Sequence, residues 1–468
     1  MRKTVLSILA LSAVSAMGDV VVSPSVTVGP VKPMHAVNNG PICPKKDQIR
    51  GNFDTYAAAK IPFARTHDAA FCASYGGEHT VDITAIFPNF DADENSPDAY
   101  DFAFTDYYLG NIRAAGTEVF FRLGQKIEHG IKKYGVLPPK DFGKWARICE
   151  HIIRHYNEGW ANGFKWNIRY WEIWNEPDLD PEDWTTNPRC WGGSPEAFFD
   201  LFSTAAKHLK SCFPDLKIGG PALAYNEAWG ERFLQTMRER NVPMDFFSWH
   251  DYAVDPKAIA AKADRIRALM EKTGYGKAES ILNEWNYVKG WTGDWVYTLR
   301  VESGDLNQKG AAFTMATMCA CQPKPVDMLM YYDARPTQMN GLFDGITMLP
   351  MKGYYPFYAW SKLAAHGTAV QATVSVDGKA ADKQADIYTA AAVGKDGKLA
   401  ILVCRYTEDD NVVASKPVKI RLEGGSLAGA IGHLTDLART YTEVPVPVAE
   451  DGSATVTLDP NSFILIEK

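Results

Sequence analysis

The chain has 468 residues, 46% of them hydrophobic and 22% charged, with a formal net charge of −7. That length exceeds one small core and suits a barrel of roughly 250 or more residues with a smaller second domain. The acidic balance argues against a nucleic-acid or polyanion partner, and eight cysteines are too sparse for a disulfide scaffold.

At the start, Met1-Arg2-Lys3 leads into an apolar run to Leu11 and then small residues to Ala16, the three regions of a secretory signal. Residues 1–18 are read as a signal peptide, and the protein as exported, periplasmic or secreted. No cysteine stands at the cleavage point to carry a lipid, and no later run is long and apolar enough to span a bilayer, so no membrane anchor is expected. In residues 19–31, Val20-Val21-Val22 and Val26-Thr27-Val28 flank Pro24, which reads as an edge strand interrupted by proline. An isolated strand is unstable, so this one is expected to join the β-rich C-terminal region.

Residues 32–366 alternate short apolar strands with helical patterns, the sequence form of βαβ units. Eight strand candidates lie near Met34 to Val37, Phe63 to Thr66, Val119 to Leu123, Ile168 to Trp174, Lys217 to Gly219, Phe246 to Trp249, Ser280 to Leu282 and Met328 to Tyr331. Helix starts are signalled by Ser194-Pro195-Glu196 and Asp255-Pro256, and a further amphipathic helix by Trp145, Ile148, Cys149, Ile152 and Ile153. A doubly wound open sheet would show the same alternation as a closed (β/α)₈ barrel. From 367 to 468 helical periodicity disappears, and short strands separated by turns such as Asp377-Gly378 and Asp396-Gly397 predict an all-β sandwich.

Two of the strand candidates end in chemistry. Tyr170-Trp171-Glu172-Ile173-Trp174-Asn175-Glu176 stops at Pro177, and Ser280-Ile281-Leu282-Asn283-Glu284-Trp285-Asn286 repeats the plan. Strict alternation would put Glu172, Trp174 and Glu176 on one face. A carboxylate at an apolar strand tip is costly to keep ionised, and two Asn-Glu strand ends suggest paired carboxylates facing one sugar ring. Glu176 and Glu284 fall just past strands four and seven of the count, on the face where barrels carry their sites, which favours the barrel over the open sheet.

Trp174-Asn175-Glu176-Pro177 followed by Asn283-Glu284-Trp285 resembles the retaining glycoside hydrolases of clan A, and the surrounding text resembles glycoside hydrolase family 39, which groups β-xylosidases and α-L-iduronidases. Val37-Asn38-Asn39-Gly40-Pro41, Arg65-Thr66-His67-Asp68, Ile86-Phe87-Pro88 and Tyr100-Asp101-Phe102 extend the likeness in order and spacing. The resemblance implies Glu176 as acid/base, Glu284 as nucleophile and Asn175 as hydrogen-bond donor to the sugar 2-hydroxyl, with no cofactor. It also implies that Arg65, His67, His250 and Tyr252 contact the sugar or support the nucleophile. Arg122 is similarly placed. The implied activity is β-xylosidase-like, on an oligosaccharide or polysaccharide. Another β-glycosidase, an α-L-arabinosidase or iduronidase type, or a non-catalytic carbohydrate-binding barrel are the alternatives. Where many clan members carry Trp after the eighth strand, this chain has Tyr331-Tyr332-Asp333.

Trp174, Trp285, Trp291 and Trp295 are candidates to stack on sugar faces, with core packing as the competing reading. Glu172 has its own alternative, a buried carboxylate paired with Arg65 or Arg122. Glu279 precedes its strand and is expected to be solvated. Cys319 and Cys321 lie at i and i+2 of a small-residue helical run and read as buried thiols. Asp178, Asp180 and Asp183 lack the Gly and terminal Glu of a calcium loop, so no metal is expected.

Overall fold

A computed structural model describes residues 18–42, 51–68, 79–128, 130–133, 135–180, 187–297, 308–336, 342–376, 379–380 and 386–468. Residues 1–17 of the expected signal segment, Cys43, Cys72, Asp183 and the expected turn at Asp377-Gly378 lie outside the described residues. The first strand, β1 (Gly18–Pro30), precedes a closed barrel of eight strands: β2 (Ala36–Asn38), β3 (Phe63–Arg65), β4 (Glu118–Leu123), β5 (Tyr170–Ile173), β6 (Lys217–Leu223), β7 (Phe246–Ala253), β8 (Glu279–Tyr287) and β9 (Met328–Tyr331). All neighbours in it are parallel, and β9 returns to β2 with Ala36 opposite Met330.

Helices cover the outside. Their starts follow from local chemistry: Asp141, Ser194, Asn226 and Asp255 each accept a backbone N–H of the first turn, and Pro195 and Pro256 occupy first-turn positions whose N–H would otherwise go unpaired. The helix Gln308–Cys321 is buried on nearly every side, including Ala311, Ala312, Ala316, Cys319 and Cys321, because it lies between the barrel and a second sheet. Cys404 of that sheet donates its thiol to the Ala312 carbonyl. No described helix is long and apolar enough to cross a membrane.

The second domain comprises β10 (Thr368–Val376), β11 (Lys379–Ala380), β12 (Ile387–Val393), β13 (Leu399–Arg405), β14 (Lys416–Leu422), β15 (Ile431–Thr435), β16 (Thr442–Pro445), β17 (Ala454–Leu458) and β18 (Ser462–Glu467). With β1 they form one continuous ten-stranded sheet in the order β16-β15-β18-β13-β12-β10-β1-β14-β17, with β11 beside β10. The sheet wraps over its own core, so Val20, Val418, Ile420 and Val456 from one end meet Ile401, Leu434, Ile464 and Ile466 from the other. Strand β1 is an interior strand and not an edge: residues 18–23 run antiparallel to β10 while 18–22 run parallel to β14. Pro24 is accommodated because the β14 ladder ends at Val22 and the β10 register slips between Ser23 and Thr27.

Candidate active site

The barrel lumen is built in layers two residues apart. Ala36, Phe63, Phe120, Tyr170, Phe246, Ile281, Met328 and Met330 form an apolar cluster in its lower half. Two residues further along the same strands, the period-two alternation brings in Asn38, Arg65, Arg122, Glu172, Ser248 and Asn283, every one fully buried. Arg65 is the hub of this layer. Its Nε donates to Glu172 Oε2 at 2.6 Å, Nη1 to Asn38 Oδ1 at 3.0 Å and to Glu284 Oε2 at 3.3 Å, and Nη2 to Asn175 Oδ1 at 2.7 Å. Glu172 also accepts from Ser248 Oγ at 2.6 Å and from Asn283 Nδ2, so its pairing with Arg65 is closed on all sides.

Two backbone irregularities then replace simple alternation. After β5 ends at Ile173, Trp174 and Glu176 adopt left-handed φ values of 78° and 51°. The Trp174 indole turns away from the lumen, donating Nε1 to the Cys190 carbonyl at 2.9 Å among Trp145, Trp191 and Phe198, while Asn175 and Glu176 turn inward. Gly124 permits this path, since a Cβ there would meet the Trp174 ring at 2.9 Å. In β8, Trp249 pairs with Leu282 but His250 with Glu284, leaving Asn283 as an extra, bulged residue. Asn283 and Glu284 can then both face inward, and Trp285 packs outward on Tyr331 and Phe313. Neither Trp174 nor Trp285 faces the site, which corrects their reading as sugar-stacking residues. Strict alternation had placed Trp174 beside Glu172 and Glu176, and one left-handed residue breaks it.

Above the Arg65 layer, His250 Nδ1 lies 2.8 Å from Glu176 Oε1 and 3.6 Å from Glu284 Oε2, and Tyr252 donates its hydroxyl to Glu284 Oε1 at 2.5 Å. Donor atoms of Glu176, His250 and Glu284 all lie within 4.8 Å of one another. Burial, reinforced by Asp178 and opposed by Arg65, raises the Glu176 carboxyl to about 7. Burial also raises Glu284, against the opposing influence of His250, Arg65 and the Tyr252 hydroxyl. Burial lowers His250 to about 4, so its ring is neutral near pH 7. The largest cause of the Glu176 shift is therefore desolvation and not the charge of its partner carboxylate. These three donors have a metal-like convergence, but the Arg65 guanidinium already supplies the positive charge beside Glu284.

Asn175 Nδ2 and His250 Nε2 are buried without a hydrogen-bond partner among the described residues. His67 belongs to an adjoining network: its Nδ1 lies 3.2 Å from Asp68 Oδ2, and its ring meets Tyr332 edge-on. Asp68 also binds Lys126 Nζ at 2.7 Å, the Tyr332 hydroxyl at 2.7 Å and Arg335 Nη2 at 3.2 Å. Lys126, Tyr332 and Arg335 were not singled out from the sequence as site residues; the signal that could have found them is a polar residue just past a strand end. Arg122 serves Asp82 and the His67 carbonyl.

The loops are pinned from outside. Asp178 accepts the backbone N–H groups of Ala224, Tyr225 and Asn226, and Asp180 those of Arg189, Cys190 and Trp191, so both act as loop anchors. From the second domain, Tyr406 donates to the Val254 carbonyl at 2.6 Å and Glu408 accepts from Tyr287, bracing the ends of β7 and β8. Glu279, expected in solvent, lies at the opposite end of the barrel, partly buried and bound to Lys217 and the Tyr170 hydroxyl. Trp291 is 57% exposed and meets Tyr252 edge-on at 5.6 Å.

Residues 77–279 match the model of the glycosyl hydrolases family 39. A β-xylosidase of Caldicellulosiruptor saccharolyticus is 32% identical over 150 residues, covering 32% of this chain and 27% of the relative. A β-xylosidase of Geobacillus stearothermophilus is 29% identical over 183 residues, covering 36% and 34% respectively. The matches thus span about a third of the length of these curated relatives. A glucosidase structure from Croceicoccus marinus superposes with a TM-score of 0.75 at 22% identity, covering 96% of this chain and 98% of that one, and so shares the fold. The family match falls on the stretch that carries β5, β6, β7 and the residues Asn175, Glu176, His250 and Tyr252, so the part of the chain that resembles the glycosyl hydrolases family 39 includes one of the two carboxyl groups and both of the rings that neighbour the pair.

Proposed function

We propose that this protein is an exported retaining glycosidase that cleaves glycosidic bonds by double displacement, with xyloside-type oligosaccharides as first-choice substrates. The observation that carries the reading is the convergence of Glu176 and Glu284 within 4.8 Å in unlike environments. A retaining enzyme needs carboxyl groups about 5 to 5.5 Å apart, whereas an inverting one needs roughly 6.5 to 9.5 Å to admit a water. Glu284 is the better placed anion, held by Arg65 and Tyr252, and attacks the anomeric carbon. Glu176, raised to about 7, holds a proton for the departing oxygen, then takes one from the water that releases the sugar. Asn175 Nδ2 and His250 Nε2 are donor and ring positions left for sugar hydroxyls. Export rests on the basic start and apolar run before Ala16.

Proton NMR of the first-formed product tests the mechanism: retained configuration is expected, and an inverted product removes Glu284 as nucleophile. A panel of aryl β-xyloside, β-glucoside, β-galactoside, α-arabinoside and iduronide tests the substrate, with the xyloside expected to give the highest kcat/KM. Absence of turnover on every member would leave a carbohydrate-binding barrel.

A further inference from the structure

On the outer wall of the barrel, the helices Phe142–Asn157 and Pro195–Cys212 pack side by side and bring together Glu150, His208 and Cys212. His208 and Cys212 are four residues apart on one helix, so both side chains project from the same face, and Glu150 meets them from the neighbouring helix. His208 Nε2 lies 2.6 Å from Glu150 Oε2 and 3.9 Å from Cys212 Sγ, and the three donor atoms all fall within 4.8 Å of one another. The thiol is free and none of the three is fully exposed. The second oxygen of Glu150 is held by Arg154 at 2.8 Å, leaving Oε2 directed at the other two donors. A carboxylate oriented by an outer partner in this way is what metal sites use to fix a ligand.

We propose that Glu150, His208 and Cys212 form a second site, unrelated to the catalytic centre, that binds one zinc-class divalent cation. Thiolate, imidazole and carboxylate are the ligand set of zinc and cobalt(II), whereas calcium and magnesium take oxygen ligands. Donor separations of roughly 3.3 to 3.8 Å follow from metal–ligand bonds of about 2.0 to 2.3 Å in a tetrahedron, so a small outward shift of the Glu150 carboxylate opens the centre. Water supplies the fourth position, because the cluster lies at the partly exposed wall. The cation clips the two helices together, and its binding free energy adds to the stability of the folded chain.

The test uses the full chain after treatment with a chelator. Cobalt(II) is expected to bind at one equivalent with a thiolate charge-transfer band in the near ultraviolet, zinc to displace it, and zinc to raise the thermal midpoint. Cys212→Ser, which leaves the Glu150–His208 pair intact, should abolish both the band and the zinc-dependent rise without altering glycosidase turnover. His208→Gln should do the same, and Glu150→Gln should weaken cobalt binding while retaining the band. A band that survives Cys212→Ser, or a wild-type midpoint indifferent to zinc, overturns the proposal. Because the readouts are spectroscopic and thermal, they stand whether or not the proposed glycosidase activity is found.

Discussion

The two halves of the barrel lumen share strands, inward direction and near-complete burial, yet differ wholly in chemistry. Below lie Phe63, Phe120, Phe246 and Ile281; two residues higher on the same strands stand Arg65, Arg122, Ser248 and Asn283. The lower half gains from removing apolar surface from water, about 25 cal/mol per Å². In the upper half each buried charge carries a desolvation cost that only a complete set of partners offsets, which is why Arg65 has four acceptors around it. The lower layer thus holds the barrel closed, and the upper one supports the carboxyl groups of Glu176 and Glu284 in unlike surroundings, Glu176 beside His250 and Glu284 between Arg65 and Tyr252.

The largest expected effect separates the two glutamates by role. Glu284→Ala should lower kcat on the order of 10⁵-fold or more on every substrate, with any azide product inverted. Glu176→Ala should spare glycosylation by dinitrophenyl glycosides, whose leaving group departs without a proton, and accumulate an intermediate that azide converts to a glycosyl azide of retained configuration. If Glu176→Ala is equally inactive on activated and unactivated glycosides and ignores azide, the acid/base assignment is lost.

Breaking the upper layer without touching a carboxyl comes next. Arg65→Met removes the guanidinium that pairs with the fully buried Glu172, and urea denaturation should register a loss of about 3–5 kcal/mol. Adding Glu172→Leu should recover much of that stability without restoring activity, since Glu284 and Asn175 still lack their donor. A double variant no more stable than the single would show that Arg65 acts through packing and not charge.

Titration sharpens the contrast further. Activity on poor leaving groups should fall as pH rises through about 7, the raised Glu176 value, and that limb should vanish in Glu176→Ala assayed with dinitrophenyl glycosides. Stability carries two opposite terms. His35, His67 and His250 are lowered by burial from 6.5 to about 4, 3 and 4, so the unfolded chain takes up protons first and their contribution, full above pH 6.5, is lost as pH falls. Glu176, raised from 4.5 to about 7, contributes stability that is full below pH 4.5 and lost as pH rises through 7. Thermal midpoints of Glu176→Gln against wild type across this range should isolate the second term.

The smallest effect belongs to the lower layer. Ile281→Val should cost about 0.5–1.5 kcal/mol in urea and leave kcat/KM within twofold. A larger catalytic loss would mean that the apolar layer positions the bulge at Asn283, two residues above it.

Much of the architecture was legible as pattern. The alternation of apolar strands with capped helices is dictated residue by residue, and so is the switch to β-only text after residue 367. Strands β15 and β16 are opaque in the sequence because β16 is exposed at the sheet edge and β15 contains Gly432 and His433, so neither shows clean alternation. Likewise, Val20 and Val22 announce a strand, but only the neighbours β10 and β14 make it an interior one.

For the site, the sequence by itself determined that two Asn-Glu pairs end apolar strands, because strand propensity and Pro177 are local properties. It could not determine which side chains face inward beyond those ends. That depended on the left-handed turn at Trp174 and the bulge at Asn283, which reverse the faces of single residues and leave no trace in hydrophobic periodicity. Nor could it choose Arg65 over Arg122 as the partner of Glu172. Both guanidiniums lie inside the barrel, but Arg65 reaches Glu172 Oε2 while Arg122 is taken by Asp82 and the His67 carbonyl. The pairing of charges far apart in the chain is settled by closure of the barrel, which alone decides which partners reach one another in a space that excludes water.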